Sequence, residues 1–169
     1  MQTDALSITQ ALIADVILRL MKESLPRIRS CVAQLTTDQI WWRPNESSNS
    51  IGNLVLHLNG NVNQWIGNGL GQQPDHRRRQ TEFDERTPLD KDTLMELLNS
   101  TMLSAQQIIG SVTPEDLLTK RPVQTFEETG ISILIHVTEH FSYHTGQIAY
   151  ITKMLTDKSL DFYAGITLE

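Results

Sequence analysis

Three histidines, His136, His140 and His144, recur at four-residue steps in a 169-residue chain that holds five histidines in all. On a helix, residues four apart share a face and lie about one turn apart. With His140 at the centre and about 100° per residue, Ile133, His136, Val137, His140, His144, Gln147, Ile148 and Ile151 fall in an arc of roughly 120°. The opposite arc holds Thr138, Glu139, Ser142, Thr145, Gly146 and Lys153. The histidines are thus predicted to face inward, where an imidazole needs a hydrogen bond or a metal ion.

A His-x-x-x-His pair on a helix can place two ring nitrogens on one cation. His136 lies about 12 Å along the axis from His144, too far to share an ion easily with both others. It is expected to serve as a structural or orienting residue. Another histidine, His57, lies in Leu54-Val55-Leu56-His57-Leu58, with Asn53, Asn61 and Gln64 within about 40° of it around a second helix. If that polar stripe meets the first, three imidazoles converge. Three protein ligands and an open position are the pattern of a catalytic metal site rather than a structural one. Imidazole suits zinc, nickel, iron and copper alike. The plainer alternative is that the histidines are solvated or hydrogen-bond to one another.

Several chemistries are excluded. The chain has no His-Glu-x-x-His, no facing Glu-x-x-His pairs, no phosphate-binding glycine loop and no nucleophile elbow.

The elements that must position the histidines are four helices. The first is expected over about Ala5–Leu35, with Pro26 kinking or interrupting it. A capped turn at Thr37–Trp41 follows. The second helix starts near Ser50 and reaches Gly67 to Gly69. A long loop runs from Gly71 to Pro88, of a length often tied to function. The third helix spans about Leu89–Ile109, and Thr113-Pro114-Glu115-Asp116 starts a further turn. Residues 121–129 are ambiguous, with Val123, Thr125 and Phe126 suiting an extended segment. The fourth helix runs over about Gly130–Thr156. The tail, with Leu160, Phe162, Tyr163 and Ile166, is apolar enough to dock. The expected fold is all-α, a four-helix bundle forming one domain over 1–169.

Composition agrees with a globular protein: 39% hydrophobic and 20% charged residues. The formal net charge of −6 argues against a nucleic-acid binder. Cys31, alone, excludes an internal disulfide and fits a reducing compartment. With no apolar run of membrane-spanning length and no signal peptide, no membrane partner and a cytoplasmic location are expected.

Two segments carry a family resemblance: Asn49-Ser50-Ile51-Gly52-Asn53-Leu54-Val55-Leu56-His57-Leu58-Asn59-Gly60-Asn61, and His140-Phe141-Ser142-Tyr143-His144-Thr145-Gly146-Gln147-Ile148. The second resembles the recurring His-x-x-x-His-x-Gly-Gln of the DinB-like (YfiT-like) superfamily of metal-binding four-helix bundles. The likeness covers roughly residues 5–156. It implies His57, His140 and His144 as metal ligands, and a divalent ion, zinc or nickel ahead of iron or manganese. Some relatives are thiol-dependent transferases using a low-molecular-weight thiol, or metal-dependent hydrolases. The family commonly has arginine after the last histidine, where Thr145 stands here.

The expected function is therefore a metal-dependent transferase or hydrolase acting on a small molecule, with His136, Tyr143 or Gln147 orienting the site. The alternatives are a metal- or ligand-binding stress-response protein without turnover, and a bundle that associates with a partner. On the long loop, Arg77, Arg78 and Arg79, followed by Glu82-Phe83, are candidates for an anionic-substrate clamp, Arg78 and Arg79 foremost; the plainer reading is a solvated loop with surface ion pairs. Trp41 and Trp42 are expected in the bundle-end core. The first helix and the tail offer surfaces for a homodimer.

Overall fold

A computed structural model describes residues 2–165 and 167; Ile166 of the tail lies outside the described residues. Four helical rods form the bundle. The first is built from α1 (Gln2–Ile17), a π-helical segment (Leu18–Ser24) and α2 (Leu25–Ala33). Pro26 explains the π-turn. It has no N–H to give and its ring crowds the carbonyl four residues back, and just before it the Leu25 N–H reaches the Leu20 carbonyl, a five-residue step.

The short helix α3 (Thr37–Trp41) is fixed by a capping box between Thr36 and Gln39. The second rod is α4 (Ile51–Val62), which runs into a second π-helical segment (Asn63–Leu70). Ser50 and Asn53 close its capping box. The expected loop holds one short helix of its own, α5 (Arg79–Asp84). The third rod is α6 (Lys91–Gly110), capped by Asp90. Then come α7 (Pro114–Leu118) and an antiparallel hairpin, β1 (Lys120–Val123) paired with β2 (Phe126–Thr129), so the ambiguous 121–129 stretch is extended. The fourth rod, α8 (Gly130–Thr156), begins at the Thr129 cap and ends where Asp157 adopts φ 51°. Among the described residues the fold is all-α apart from this one hairpin.

The core joins the rods through Leu20, Ile28, Ile51, Leu58, Leu98, Met102, Phe141 and Ile148, all essentially buried. Two expectations change. Thr145, placed outward by the helical projection, is buried and donates its hydroxyl to the Phe141 carbonyl. The buried face of α8 runs through Leu134, Val137, Phe141, His144, Thr145, Ile148 and Thr152. It is therefore rotated away from His140, which sits with His136 at its border, half-buried. Trp42 is exposed, whereas Trp41 packs against the core and its indole N–H donates to the Leu89 carbonyl. In the tail, Leu160 and Phe162 lie against the core, and the Arg27 guanidinium covers Phe162 and Tyr163. No described helix is long and apolar enough to cross a membrane.

Candidate metal centre

Helices α4 and α8 pack together and bring His57 beside His140 and His144. His57 Nε2 lies 3.0 Å from His140 Nε2, and His144 Nε2 lies 3.3 Å from the same atom. One ring nitrogen from each of the three falls within 4.8 Å of the others.

The opposite edges of two rings are tied down. His57 Nδ1 is 2.8 Å from Glu82 Oε2, and His144 Nδ1 is 2.6 Å from Gln147 Oε1. A carboxylate only accepts, so His57 carries its proton on Nδ1. Gln147 turns its oxygen to His144 while its amide N–H donates to the Tyr143 hydroxyl at 3.3 Å, so His144 likewise carries its proton on Nδ1. Both Nε2 lone pairs then point at His140, which in its neutral form has one ring proton to offer the two of them. Three converging imidazole nitrogens with so few protons among them suit a cation, and the donor set fits a divalent transition metal. His140 Nδ1 is buried with no hydrogen-bond partner among the described residues. Burial, with the charges of His144 and His57 next in weight, holds the His140 pKa down to about 3. Burial also lowers His144, against the pull of its Gln147 bond. Neutral rings keep their lone pairs free at pH 7.

Behind His57 stands a charged network. Arg77 bonds both Glu82 oxygens, Nε to Oε1 at 2.7 Å and Nη2 to Oε2 at 2.9 Å. Arg77 Nη1 also donates to Gln64 Oε1, and Gln64 Nε2 donates to Asp75. Burial works to raise the Glu82 pKa, but the bonds from Arg77 and His57 and the Arg77 charge outweigh it, so the carboxyl lies below its ordinary value. Gly60 on α4 makes the approach possible, since a Cβ there would collide with the Glu82 carboxylate. Asn53 adds two bonds from its amide, to the Glu82 and Glu85 carbonyls. The polar stripe of α4 is thus the seam to which the 71–88 loop is stitched.

The remaining candidates separate clearly. His136 lies outside the trio: its ring stacks on Trp65 at 3.6 Å and takes a 3.4 Å contact from the Asn61 amide. Tyr143 is exposed and sets its ring edge-on to His144. Phe83 packs on His57, with ring centroids 4.6 Å apart. Arg78 and Arg79 are exposed. Arg79 lies over the Phe83 ring, and Arg78 borders a cavity between the loop and α4. The arginine turned toward the histidines is their neighbour Arg77, its side chain only 4% exposed. Sequence reasoning pointed to Arg77 and Glu82 only as part of a charged loop over the site, not as the pair that holds His57 from behind. The sequence signal was an arginine run followed by Glu82-Phe83, on a loop whose path has no period.

A family model described as protein of unknown function, DUF1572, matches residues 9–164. The chain belongs to the DUF1572 family. Solved structures show that this DUF1572 protein has a DinB-like fold. A conserved protein from Enterococcus faecalis superposes with a TM-score of 0.71 at 16% identity, covering 89% of this chain and 98% of its own. A DinB-like protein from Bacillus subtilis gives 0.65 at 18% identity, covering 89% and 96%. One from Bacillus cereus gives 0.61 at 15%, covering 82% and 90%. No functionally curated protein matches the DUF1572 chain.

Proposed function

We propose that this protein holds a divalent metal ion on His57, His140 and His144 and uses it in a transferase or hydrolase reaction on a small molecule. The carrying observation is the convergence of the three Nε2 atoms while Nδ1 of His57 and His144 is engaged from behind. Zinc and nickel are the first ions to test. When bound, such an ion supplies Lewis acidity that favours the deprotonated form of a water or thiol at neutral pH.

The chain's own residues do the rest. Glu82 accepts the Nδ1 proton of His57, fixing its tautomer and strengthening Nε2 as a donor. Gln147 does the same for His144 without a charge. Phe83 and Tyr143 flank the imidazoles and limit water around them. Arg77 neutralises Glu82, so the buried carboxylate adds no uncompensated charge.

Metal analysis of protein purified without an affinity tag tests this reading, with about one equivalent of ion expected. Cobalt substitution then reports whether an exogenous thiol enters the coordination sphere. A protein that takes up neither zinc, nickel nor cobalt does not act this way.

A further inference from the structure

Tyr143 borders two cavities at once. One, of about 480 Å³, opens over His136 and His140. The other, of about 660 Å³, continues along the outer face of α8 past Gln147, Tyr150 and Ile151 to Met154, with Leu54 also in its wall. Both are of the size that small molecules occupy. Tyr143, Tyr150 and Met154 are 62%, 68% and 48% exposed. Three large, mostly apolar side chains thus line one groove, and such a surface needs a reason.

The groove joins the metal centre through Gln147, whose amide reaches the Tyr143 hydroxyl on one side and His144 on the other. His57 and His144 are buried, while His140 is half-buried and lines the cavity that Tyr143 borders. Of the three ligand candidates, His140 is thus the one whose ring borders a cavity shared with Tyr143. None of the residues lining the longer groove is charged. The cavity between the loop and α4 is the opposite, with Asp75, Arg77, Arg78, Glu82 and Glu85 in its wall.

We propose that the groove from Tyr143 to Met154 takes the flat, apolar tail of the substrate, whose metal-seeking head reaches the ion over His140. This deepens the metal reading and rests on it. The substrate class is then a compound with an uncharged arylalkyl or alkyl tail rather than one bearing a phosphate or a free carboxylate.

Two measurements test it. In cobalt-substituted protein, the thiolate-to-cobalt charge-transfer band gives affinities for 2-mercaptoethanol and 3-phenylpropane-1-thiol. The phenyl compound is expected to bind at least about tenfold tighter, the gain from burying one ring. Tyr150→Ser and Met154→Ser, both at exposed positions, are expected to bring that ratio to within about twofold and leave the 2-mercaptoethanol affinity unchanged. Equal affinities in the unaltered protein, or a ratio that both variants retain, overturn the proposal.

In metal-free protein carrying ¹³C-methyl methionine, 3-phenylpropan-1-ol is expected to shift the Met154 methyl signal and leave that of buried Met102 in place. This readout separates the two ideas. A Met154 shift without cobalt uptake overturns the metal reading and the assignment of the head, and leaves the groove as a binding site. Cobalt uptake with no Met154 shift overturns the groove alone. A Met154 signal that moves with protein concentration instead assigns the face to a second copy of the chain, which also overturns the proposal.

Discussion

Glu82 Oε2 accepts a hydrogen bond from His57 Nδ1 across a separation of 25 residues in the chain, with both side chains almost fully enclosed. A ligand histidine held this way loses affinity when its partner is removed, typically 10–100-fold. Glu82→Ala is expected to weaken zinc binding on the order of 10–100-fold in a chelator competition, with helical circular dichroism retained. Glu82→Asp is expected to recover part of the loss. Unchanged affinity in Glu82→Ala would mean that the carboxylate only packs.

Gly60→Ala makes the same point from the other side of the contact. Alanine favours a helix over glycine by roughly 1 kcal/mol, so propensity alone predicts a more stable protein. The added Cβ, however, meets Glu82 and crowds Arg77. Breaking a buried ion pair costs about 3–5 kcal/mol, which outweighs the helical gain. A lower Tm together with weakened zinc binding is expected. A raised Tm with normal affinity would show that the loop yields freely.

His140→Ala is expected to abolish stoichiometric metal, because His140 Nε2 is the atom that both other imidazoles approach. His136→Ala is expected to retain it, since His136 is spent on Trp65 and Asn61. Metal analysis of the two variants side by side checks the ligand set. Full metal content in His140→Ala contradicts it.

Protons should unfold the metal-free protein. Burial lowers the pKa of His136, His140 and His144 in the folded chain, that of His140 to about 3. Unfolded, each takes up a proton near pH 6.5. The unfolded state therefore binds more protons, and stability falls as pH drops below about 6.5. The lowered Glu82 carboxyl adds a further loss as pH passes below the unfolded value near 4.3. Thermal melts between pH 7.5 and 4.5 are expected to show a steadily falling Tm, with a shallower slope in His140→Gln. A flat profile in the unaltered chain would contradict the burial of neutral rings.

Legibility from sequence followed periodicity. Apolar spacing and the cap at Ser50 located the four rods, and four-residue steps gathered His140 and His144 on one face. The rotation of that face was missed because Phe141 and Thr145 together draw α8 inward, and a projection centred on a histidine cannot weigh them. The hairpin at 120–129 stayed ambiguous because four-residue strands are too short to establish a period. The network behind His57 was hidden for a deeper reason. Arg77, Arg78 and Arg79 are identical in type, and only the course of the loop over α4 decides which one turns in. The polar stripe of Asn53, Asn61 and Gln64 was visible, but not that the loop was one of its partners.

The four-residue spacing along α8 makes a ladder with two interchangeable pairs of rungs. Sliding that rod by one turn, about 5.4 Å, would offer His136 and His140 where His140 and His144 now stand. Trp65, flat against His136 at 3.6 Å, acts as the pawl of this ratchet. The indole occupies the notch that the first rung would have to leave. Trp65 on His136 thus adds to the register that Val137, Phe141 and Ile148 set in the core, and so to the choice of which pair of imidazoles faces His57.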